Sequence, residues 1–168
     1  QGSGKTTQAN LIHERLGFQM IKAGELLRAY AAEPTDEGRK FKAMLDKGEL
    51  VDDHLLADLI KRELAKFGKD EKLVIDGYPR RRSQIDTFDP KYDKVFLLRL
   101  NDKEGVERLI ARHRADDTPE IIKRRLELYH QETEPMPDYY RQLGILEVID
   151  ASDDIEHVYA KIADNLNG

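Results

Sequence analysis

The sequence predicts an α/β fold in which a central parallel sheet is covered by helices on both faces. Short apolar runs alternate along the chain with longer segments whose apolar residues recur at helical spacing. Residues 94–100 form the clearest strand, because they are apolar without alternation, as expected for a strand covered on both faces. Ligands of such sheets bind at the carboxyl ends of the strands. The residues that follow each apolar run are therefore the first candidates for a functional site.

Each element is predicted from its own pattern. Gly17 and Gly68 are suited to end helices, and Thr118-Pro119 is suited to begin one. The predicted strands are residues 18–21, 72–75, 94–100 and 145–149. The predicted helices are residues 6–16, 23–33, 36–45, 52–67, a short helix or turn at 83–89, 101–112, a helix from 118 that carries Tyr129, a turn at 139–143, and a last helix capped by Ser152 or Asp153.

Composition limits the class of protein. A chain of 168 residues is most simply one domain, and its lack of cysteine excludes disulfides and cysteine-ligated zinc. The net charge of -5 argues against a nucleic-acid binder, which needs a basic face. No apolar run approaches the roughly 20 residues of a membrane span. We expect a cytoplasmic protein without a membrane partner, and a monomer as the simplest state.

The chain opens on half of a phosphate-binding motif. Gly4-Lys5-Thr6 matches the end of the pattern G-x-x-x-x-G-K-[ST], in which backbone N–H groups and the lysine hold phosphates and the hydroxyl holds Mg²⁺. The pattern predicts a P-loop NTPase-like, three-layer α/β/α architecture. The first glycine of the pattern and the strand that feeds it would precede Gln1, and we expect both to lie upstream of the given sequence.

A candidate metal ligand follows the second predicted strand. Asp76 ends this strand and precedes Gly77, at the sheet edge where Thr6 is also expected. A carboxylate there holds Mg²⁺, directly or through water, in phosphate-loop enzymes. The alternative is a helix or turn cap. The combination with Thr6 favours the metal site.

Basic residues are clustered in an otherwise acidic chain. One cluster is residues 80–82, and a second set spans residues 108–125. Each arginine could lie on a solvated helix face, but local positive islands are suited to a small polyanion. No histidine is placed as a catalytic base, and the five histidines are interpreted as surface or half-buried residues. Phosphoryl transfer needs positioning and charge neutralisation more than acid–base chemistry.

At Asp76-Gly77-Tyr78-Pro79-Arg80 the sequence resembles the nucleoside monophosphate kinase family, and within it the adenylate kinases, whose pattern is D-G-[FY]-P-R. Other segments resemble further family patterns in the same order. These are QGSGKTTQA at 1–9, AGELLR at 23–28, GELV at 48–51, RADD at 114–117 and RLELY at 125–129. The resemblance covers essentially the whole chain and implies reversible phosphoryl transfer from ATP to a monophosphate, with Mg²⁺ as cofactor.

The resemblance also implies roles for the ATP side. Residues 2–7 would cradle the ATP phosphates, Arg108 would stack on the base, and the backbone near Val148 would contact the base edge. Arg112 would close onto ATP. The implied ATP-binding set is Gly2, Ser3, Gly4, Lys5, Thr6, Thr7, Arg108, Arg112 and Val148.

On the acceptor side, residues 22–51 would form a monophosphate-binding flap, and Gln84 would hydrogen-bond the acceptor base. Arginines would hold the monophosphate and the transferred group, because the guanidinium binds phosphate oxygens bidentately. The implied set is Ala23, Arg28, Glu49, Leu50, Val51, Gly77, Tyr78, Pro79, Arg80, Gln84, Arg114 and Arg125. The implied catalytic residues are Lys5, Arg80, Arg112, Arg114 and Arg125.

Two departures bear on the acceptor. The segment 112–117 is short, so the chain resembles short-lid members and has no room for a structural zinc lid. Ala23 stands where adenylate kinases usually carry threonine, as in UMP/CMP kinases, whereas Gln84 matches the adenylate kinase pattern. The favoured acceptor is AMP, and UMP or CMP is the alternative. A kinase for a non-nucleotide acceptor and a non-catalytic nucleotide-binding module are further alternatives, which a panel of acceptors distinguishes.

Overall fold

A computed structural model describes residues 1–49, 51–111 and 118–167. Strands and helices alternate along most of the chain, as predicted. The strands are β1 (Gln19–Lys22), β2 (Leu73–Asp76), β3 (Val95–Arg99) and β4 (Leu146–Asp150). The helices are α1 (Lys5–Leu16), α2 (Ala23–Ala31), α3 (Asp36–Asp46), α4 (Asp53–Leu64), α5 (Arg82–Thr87), α6 (Asp102–Ala111), α7 (Pro119–Leu128), a π-helical segment (Tyr129–Thr133), α8 (Pro137–Gln142) and α9 (Ile155–Asn167).

All strand pairing in the described residues is parallel. β1 pairs with β2 in the register Lys22 to Asp76, and β3 pairs with β4 in the register Arg99 to Asp150. One central sheet was predicted, whereas the strands form two parallel pairs. No hydrogen-bonded ladder joins β2 to β3 among the residues that the structure describes. Parallel strands linked by helices bring the carboxyl ends of β1 and β2 to the same edge.

A cavity of about 830 Å³ is lined by both β2 and β3, and by α1 and α9. Two buried polar atoms whose side chains line it, Gln8 Oε1 and Tyr140 Oη, have no hydrogen-bond partner in the described part of the chain. Residues of both strand pairs therefore border the same cavity. The expectation of an upstream strand stays a prediction.

The helices pack on the strands through separate apolar clusters. Ile12 of α1 and Ile162 of α9 join Leu98 and Ile149 in one cluster that covers β3 and β4. A second cluster gathers α2, α4 and β1 around Ile21 and Ile60, which is fully buried. No helix in the described residues is long and apolar enough to cross a membrane.

Candidate active site

The phosphate-binding motif forms a tight loop that leads directly into α1. Gly2 and Gly4 have φ angles of 71° and 84°, in the left-handed region that glycine adopts without strain. A Cβ at Gly4 would meet no protein atom within 4 Å, which leaves open space above the loop. The N-terminal end of α1 borders this space with its first-turn backbone N–H groups and positive dipole, an arrangement that binds anions.

The loop packs against a glycine of α6 that was not among the predicted site residues. A Cβ on Gly2 would lie 2.3 Å from the carbonyl oxygen of Gly105, and a Cβ on Gly105 would lie 2.6 Å from that of Gln1. Gly105 is buried in α6. A glycine inside a helical pattern is itself a signal of close backbone approach, and here it allows α6 to lie directly against the loop.

Thr6 and Asp76, the predicted metal pair, are in contact. Thr6 Oγ1 lies 2.5 Å from Asp76 Oδ2, at the carboxyl end of β2. Their oxygen atoms belong to the donor class that Mg²⁺ prefers. The described residues contain no cluster of three or more histidine, cysteine, aspartate or glutamate side chains that could form a metal site on their own.

A group of arginines lines the same pocket as the loop. Burial, together with the nearby charges of Arg125 and Arg28, lowers the pKa of Arg80, while Asp76 raises it. Arg80 Nε donates to the carbonyl oxygen of Gly77 at 3.0 Å. Arg28 and Arg125 are close enough to Arg80 to disfavour its charge, and three guanidinium groups gathered in this way form a region where an anion is stabilised.

Arg80 is fixed from two further directions. Its backbone N–H donates to Gln84 Oε1 at 2.7 Å, and its carbonyl oxygen accepts from Thr133 Oγ1 at 2.6 Å. Thr133 ends the π-helical segment, which was not predicted because a single π-turn has no periodicity of its own. The sequence analysis therefore missed Thr133 as a support of the site.

The loop, the metal pair and the arginines line one cleft of about 1480 Å³. Pockets for one small molecule commonly measure about 300–1,000 Å³, so this cleft has room for more than one ligand. Most of the predicted site residues line it. They are Gly2, Ser3, Gly4, Lys5, Thr6, Thr7, Ala23, Arg28, Glu49, Val51, Asp76, Gly77, Arg80, Gln84, Arg108 and Arg125.

Known proteins are similar to this chain along most of its length. A family model described as adenylate kinase matches residues 1–145. The chain belongs to the adenylate kinase family. An adenylate kinase of Thermus thermophilus is 34% identical over 96% of this chain and 90% of that protein. An adenylate kinase of a Synechococcus species is 34% identical over 98% and 93%, and one of Prochlorococcus marinus subsp. pastoris is 36% identical over 96% and 90%.

Membership of the adenylate kinase family confirms the predicted resemblance, the α/β fold class and the nucleoside monophosphate kinase class. Three of the predicted site residues, Leu50, Arg112 and Arg114, lie outside the described residues, as does the short lid at 112–117.

Three predicted site residues, Tyr78, Pro79 and Val148, are not among the residues that line the cleft. Val148 sits in the middle of β4 opposite Leu97, and Ala151, just beyond the end of that strand, lines the cleft instead. Its carbonyl oxygen accepts from Arg108 at 2.9 Å. Tyr78 is buried, with its hydroxyl 2.6 Å from the carbonyl oxygen of Phe88, and the adjacent Pro79 also faces away from the cleft.

The cluster at residues 80–82 is also not a single anion-binding surface. Arg80 alone lines the cleft. The Arg81 side chain binds Asp53 and the carbonyl oxygen of Val51, and Arg82 pairs with Asp86 while lying over the ring of Tyr139. The three arginines therefore contact three different parts of the molecule, because the chain turns into α5 at this point.

Proposed function

We propose that the protein catalyses the reversible transfer of the γ-phosphoryl group of ATP to AMP, giving two molecules of ADP. The observation that carries this proposal is that two anion-binding regions line one cleft. The loop with Lys5 and the start of α1 is suited to ATP phosphates, and the group of Arg28, Arg80 and Arg125 is suited to a monophosphate. Relatives over most of the chain are named adenylate kinase.

The transfer breaks the bond between the γ-phosphorus and the bridging oxygen on the β-phosphate. It forms a bond between that phosphorus and a phosphate oxygen of AMP. A phosphate monoester is largely dianionic at pH 7, so the attacking oxygen needs no general base. Lys5 and the arginines lower the barrier by neutralising the charge of the two phosphates and by holding them in line.

Thr6 and Asp76 would hold Mg²⁺. Their oxygen atoms fit this ion, since a hydroxyl and a carboxylate meet at the loop and Mg²⁺ keeps several waters of its own. When bound, the ion neutralises charge on the ATP phosphates. The residues that would bind the two nucleotides are those members of the implied sets that line the cleft, with Gln84 reading the acceptor base and Arg108 beside the ATP base.

The flap at residues 22–51 is proposed as a moving part of the acceptor site. α3 packs against α2, and Tyr30 meets Phe41 edge to face with ring centroids 5.2 Å apart. Thr35 caps α3 by accepting from the N–H of Gly38 at 2.9 Å. These internal contacts make α2 and α3 one unit, which can close over the cleft and exclude water from the reaction.

A coupled assay with AMP, CMP, UMP, GMP and dTMP tests the acceptor, with ATP and Mg²⁺ in excess. We expect the highest kcat/KM with AMP. A preference for CMP or UMP would replace the acceptor but keep the reaction class, and Ala23 would then be the first residue to examine. Tight binding of nucleotides without turnover of any acceptor, even at high protein concentration, would overturn the proposal in favour of a non-catalytic module.

A further inference from the structure

An ion pair outside the cleft joins the end of the flap to the segment that carries Arg80 and Gln84. Arg81 Nε donates to Asp53 Oδ1 at 2.9 Å, and a second guanidinium nitrogen donates to the carbonyl oxygen of Val51 at 3.0 Å. The two side chains are 24% and 14% exposed, compared with 59% and 60% for the neighbouring pair Arg82–Asp86. The Arg81 pair is therefore well shielded from solvent.

Asp53 is the centre of this network. Burial opposes its ionisation, but hydrogen bonds from Ser83, Arg81 and Gln84 outweigh burial and lower the pKa of the carboxyl group. Asp53 is the first residue of α4, directly after the flap ends. A carboxylate with this many donors is held in one orientation, so the start of α4 and the start of α5 are fixed relative to each other.

The network reaches the cleft through two residues that line it. Arg81 binds the carbonyl oxygen of Val51, which lines the cleft. Val51 is buried with Ile21 and Leu56 in the second apolar cluster described above. Gln84 is 1% exposed, with Oε1 on the backbone N–H of Arg80 and a hydrogen bond to Asp53. Arg81 itself does not line the cleft. Its influence on a ligand would therefore be indirect.

We propose that Arg81 and Asp53 are positioning residues for the acceptor, which fasten the end of the flap at Val51 and set the orientation of the Gln84 amide. The proposal rests on the proposed function, because it assigns these residues to the monophosphate side of that site. The Arg81–Asp53 pair holds residue 51 in place. The unit of α2 and α3 closes about this fixed residue. The donors and acceptors that hold Gln84 are themselves fixed, so recognition of the acceptor base depends on the Arg81–Asp53 pair.

This role separates acceptor binding from the chemical step. Arg80 has its own supports, the carbonyl oxygen of Gly77 and the hydroxyl of Thr133, neither of which involves Arg81. Loss of Arg81 should loosen Val51 and Gln84. Arg80 would lose part of its hold through the Gln84 amide, but its bonds to Gly77 and Thr133 should keep it near its place. A change that removes binding common to ground state and transition state raises KM without lowering kcat.

The experiment compares R81M, which keeps the aliphatic stem, with R82M as matched control. We expect R81M to raise the KM for AMP about tenfold, because small displacements of binding groups cost this much or more. The kcat at saturating AMP and the KM for ATP should stay within about twofold of wild type. R82M should match wild type in all three quantities, since Arg82 contacts Asp86 and Tyr139 on the exposed side of α5.

Two further variants test whether the residues act as a pair. D53N should raise the KM for AMP in the same way, and the double variant R81M/D53N should resemble R81M rather than multiply the two effects, as contacting residues do. R81K should fall between wild type and R81M, because a lysine can reach one acceptor but not hold both in a fixed geometry.

The outcomes separate the two proposals. A wild type that is active with AMP, together with a folded R81M whose KM for AMP is within twofold of wild type, would overturn the positioning role alone. The positioning role would also be overturned if R81M lost thermal stability with no change in the KM for AMP. Additive effects of R81M and D53N on that KM would overturn it as well. If R81M fails to fold, D53N and R81K decide by the same criteria. A wild type that turns over no monophosphate would overturn both proposals.

Discussion

The hydroxyl of Thr6 lies 2.5 Å from the Asp76 carboxylate, and this hydrogen bond joins two side chains that are 70 positions apart. It links the first turn of α1 to the end of β2. Each residue alone has an ordinary alternative role, as a helix-start hydroxyl or as a turn cap. Their contact at the sheet edge makes them a shared oxygen site beside the proposed ATP phosphates.

Replacement of Asp76 by asparagine tests this site through its demand for metal. D76N should raise the Mg²⁺ concentration needed for half-maximal rate by about tenfold, since loss of a metal-orienting group commonly costs 10–100-fold. The measurement is the initial rate as Mg²⁺ is titrated at fixed ATP and AMP. D70N, on the exposed loop before β2, is the control. An unchanged Mg²⁺ profile for D76N would contradict the metal role.

Lys5 is expected to act mainly in the chemical step. It lines the cleft at the first turn of α1, where its charge can follow the transferred phosphoryl group. K5A should lower kcat by about 10²–10³-fold, the typical cost of removing one such stabilising group, and should leave the KM for AMP nearly unchanged. Steady-state kinetics checks both, with K47A on the exposed end of α3 as control. A kcat within tenfold of wild type would refute this role.

The close contact between Gly105 and the loop predicts an unusual response to alanine. In an open helix, glycine to alanine gains about 1 kcal/mol, but here the new Cβ would lie 2.6 Å from the carbonyl oxygen of Gln1. Overpacking costs about 1–3 kcal/mol, so G105A should be destabilised. The Tm should fall by roughly 2–4 °C for each kcal/mol lost in a chain of this size.

G24A is the matched control for this prediction. A Cβ at Gly24 would meet only the flexible end of Arg28, at 3.3 Å. Thermal unfolding followed by circular dichroism compares the two variants. G24A should be as stable as wild type or more so, and a G105A protein with an equal or higher Tm would show that α6 does not press on the loop.

Much of the fold was accessible from local pattern. The four predicted strands agree with the observed ones to within one residue at every end, because buried parallel strands are continuous apolar runs. Helix ends were predicted less accurately than strand ends. The helix predicted to reach residue 67 ends at Leu64, where Lys66 and Phe67 bond to carbonyls three residues back, and α9 is capped by Asp154 rather than by Ser152 or Asp153.

The site residues, too, were predicted only in part from the sequence. Motif residues such as Lys5 and Asp76 were predicted because their spacing carries the chemistry. The network of Arg81, Asp53 and Gln84 was not predicted, since its members come from two helices and a loop and no local pattern records which of the three arginines reaches Asp53. Polar networks of this kind depend on tertiary packing, and only the folded chain shows them.

Closure of the flap should be visible in solution. If α2 and α3 move as one unit about Val51, a bisubstrate analogue that joins adenosine groups through phosphates should compact the protein. Small-angle scattering should then show a smaller radius of gyration with the analogue than without it. ATP alone should give a smaller change, because it leaves the acceptor side unfilled. An unchanged radius of gyration with the analogue would mean that the cleft binds its ligands without closure.

His130 predicts a defined pH dependence of stability. Its Nδ1 lies 2.8 Å from Glu134 and its Nε2 lies 2.8 Å from Asp102, so the imidazole links the π-helical segment to the start of α6. Hydrogen bonds to Glu134 and then Asp102 raise the pKa of His130 above its usual value. A raised pKa in the folded state stabilises the fold below the unfolded value of about 6.5. That contribution is lost as pH rises through the folded pKa.

The Tm of wild type should therefore exceed that of H130Q most at about pH 6, and the difference should shrink towards pH 8. Added salt should reduce the difference at pH 6, because the pair is solvent-exposed and screened. H54Q, on the exposed face of α4, serves as the control for loss of a surface histidine. A Tm difference for H130Q that is constant across this range, or that grows with pH, would show that the protonated imidazole does not hold these two segments together.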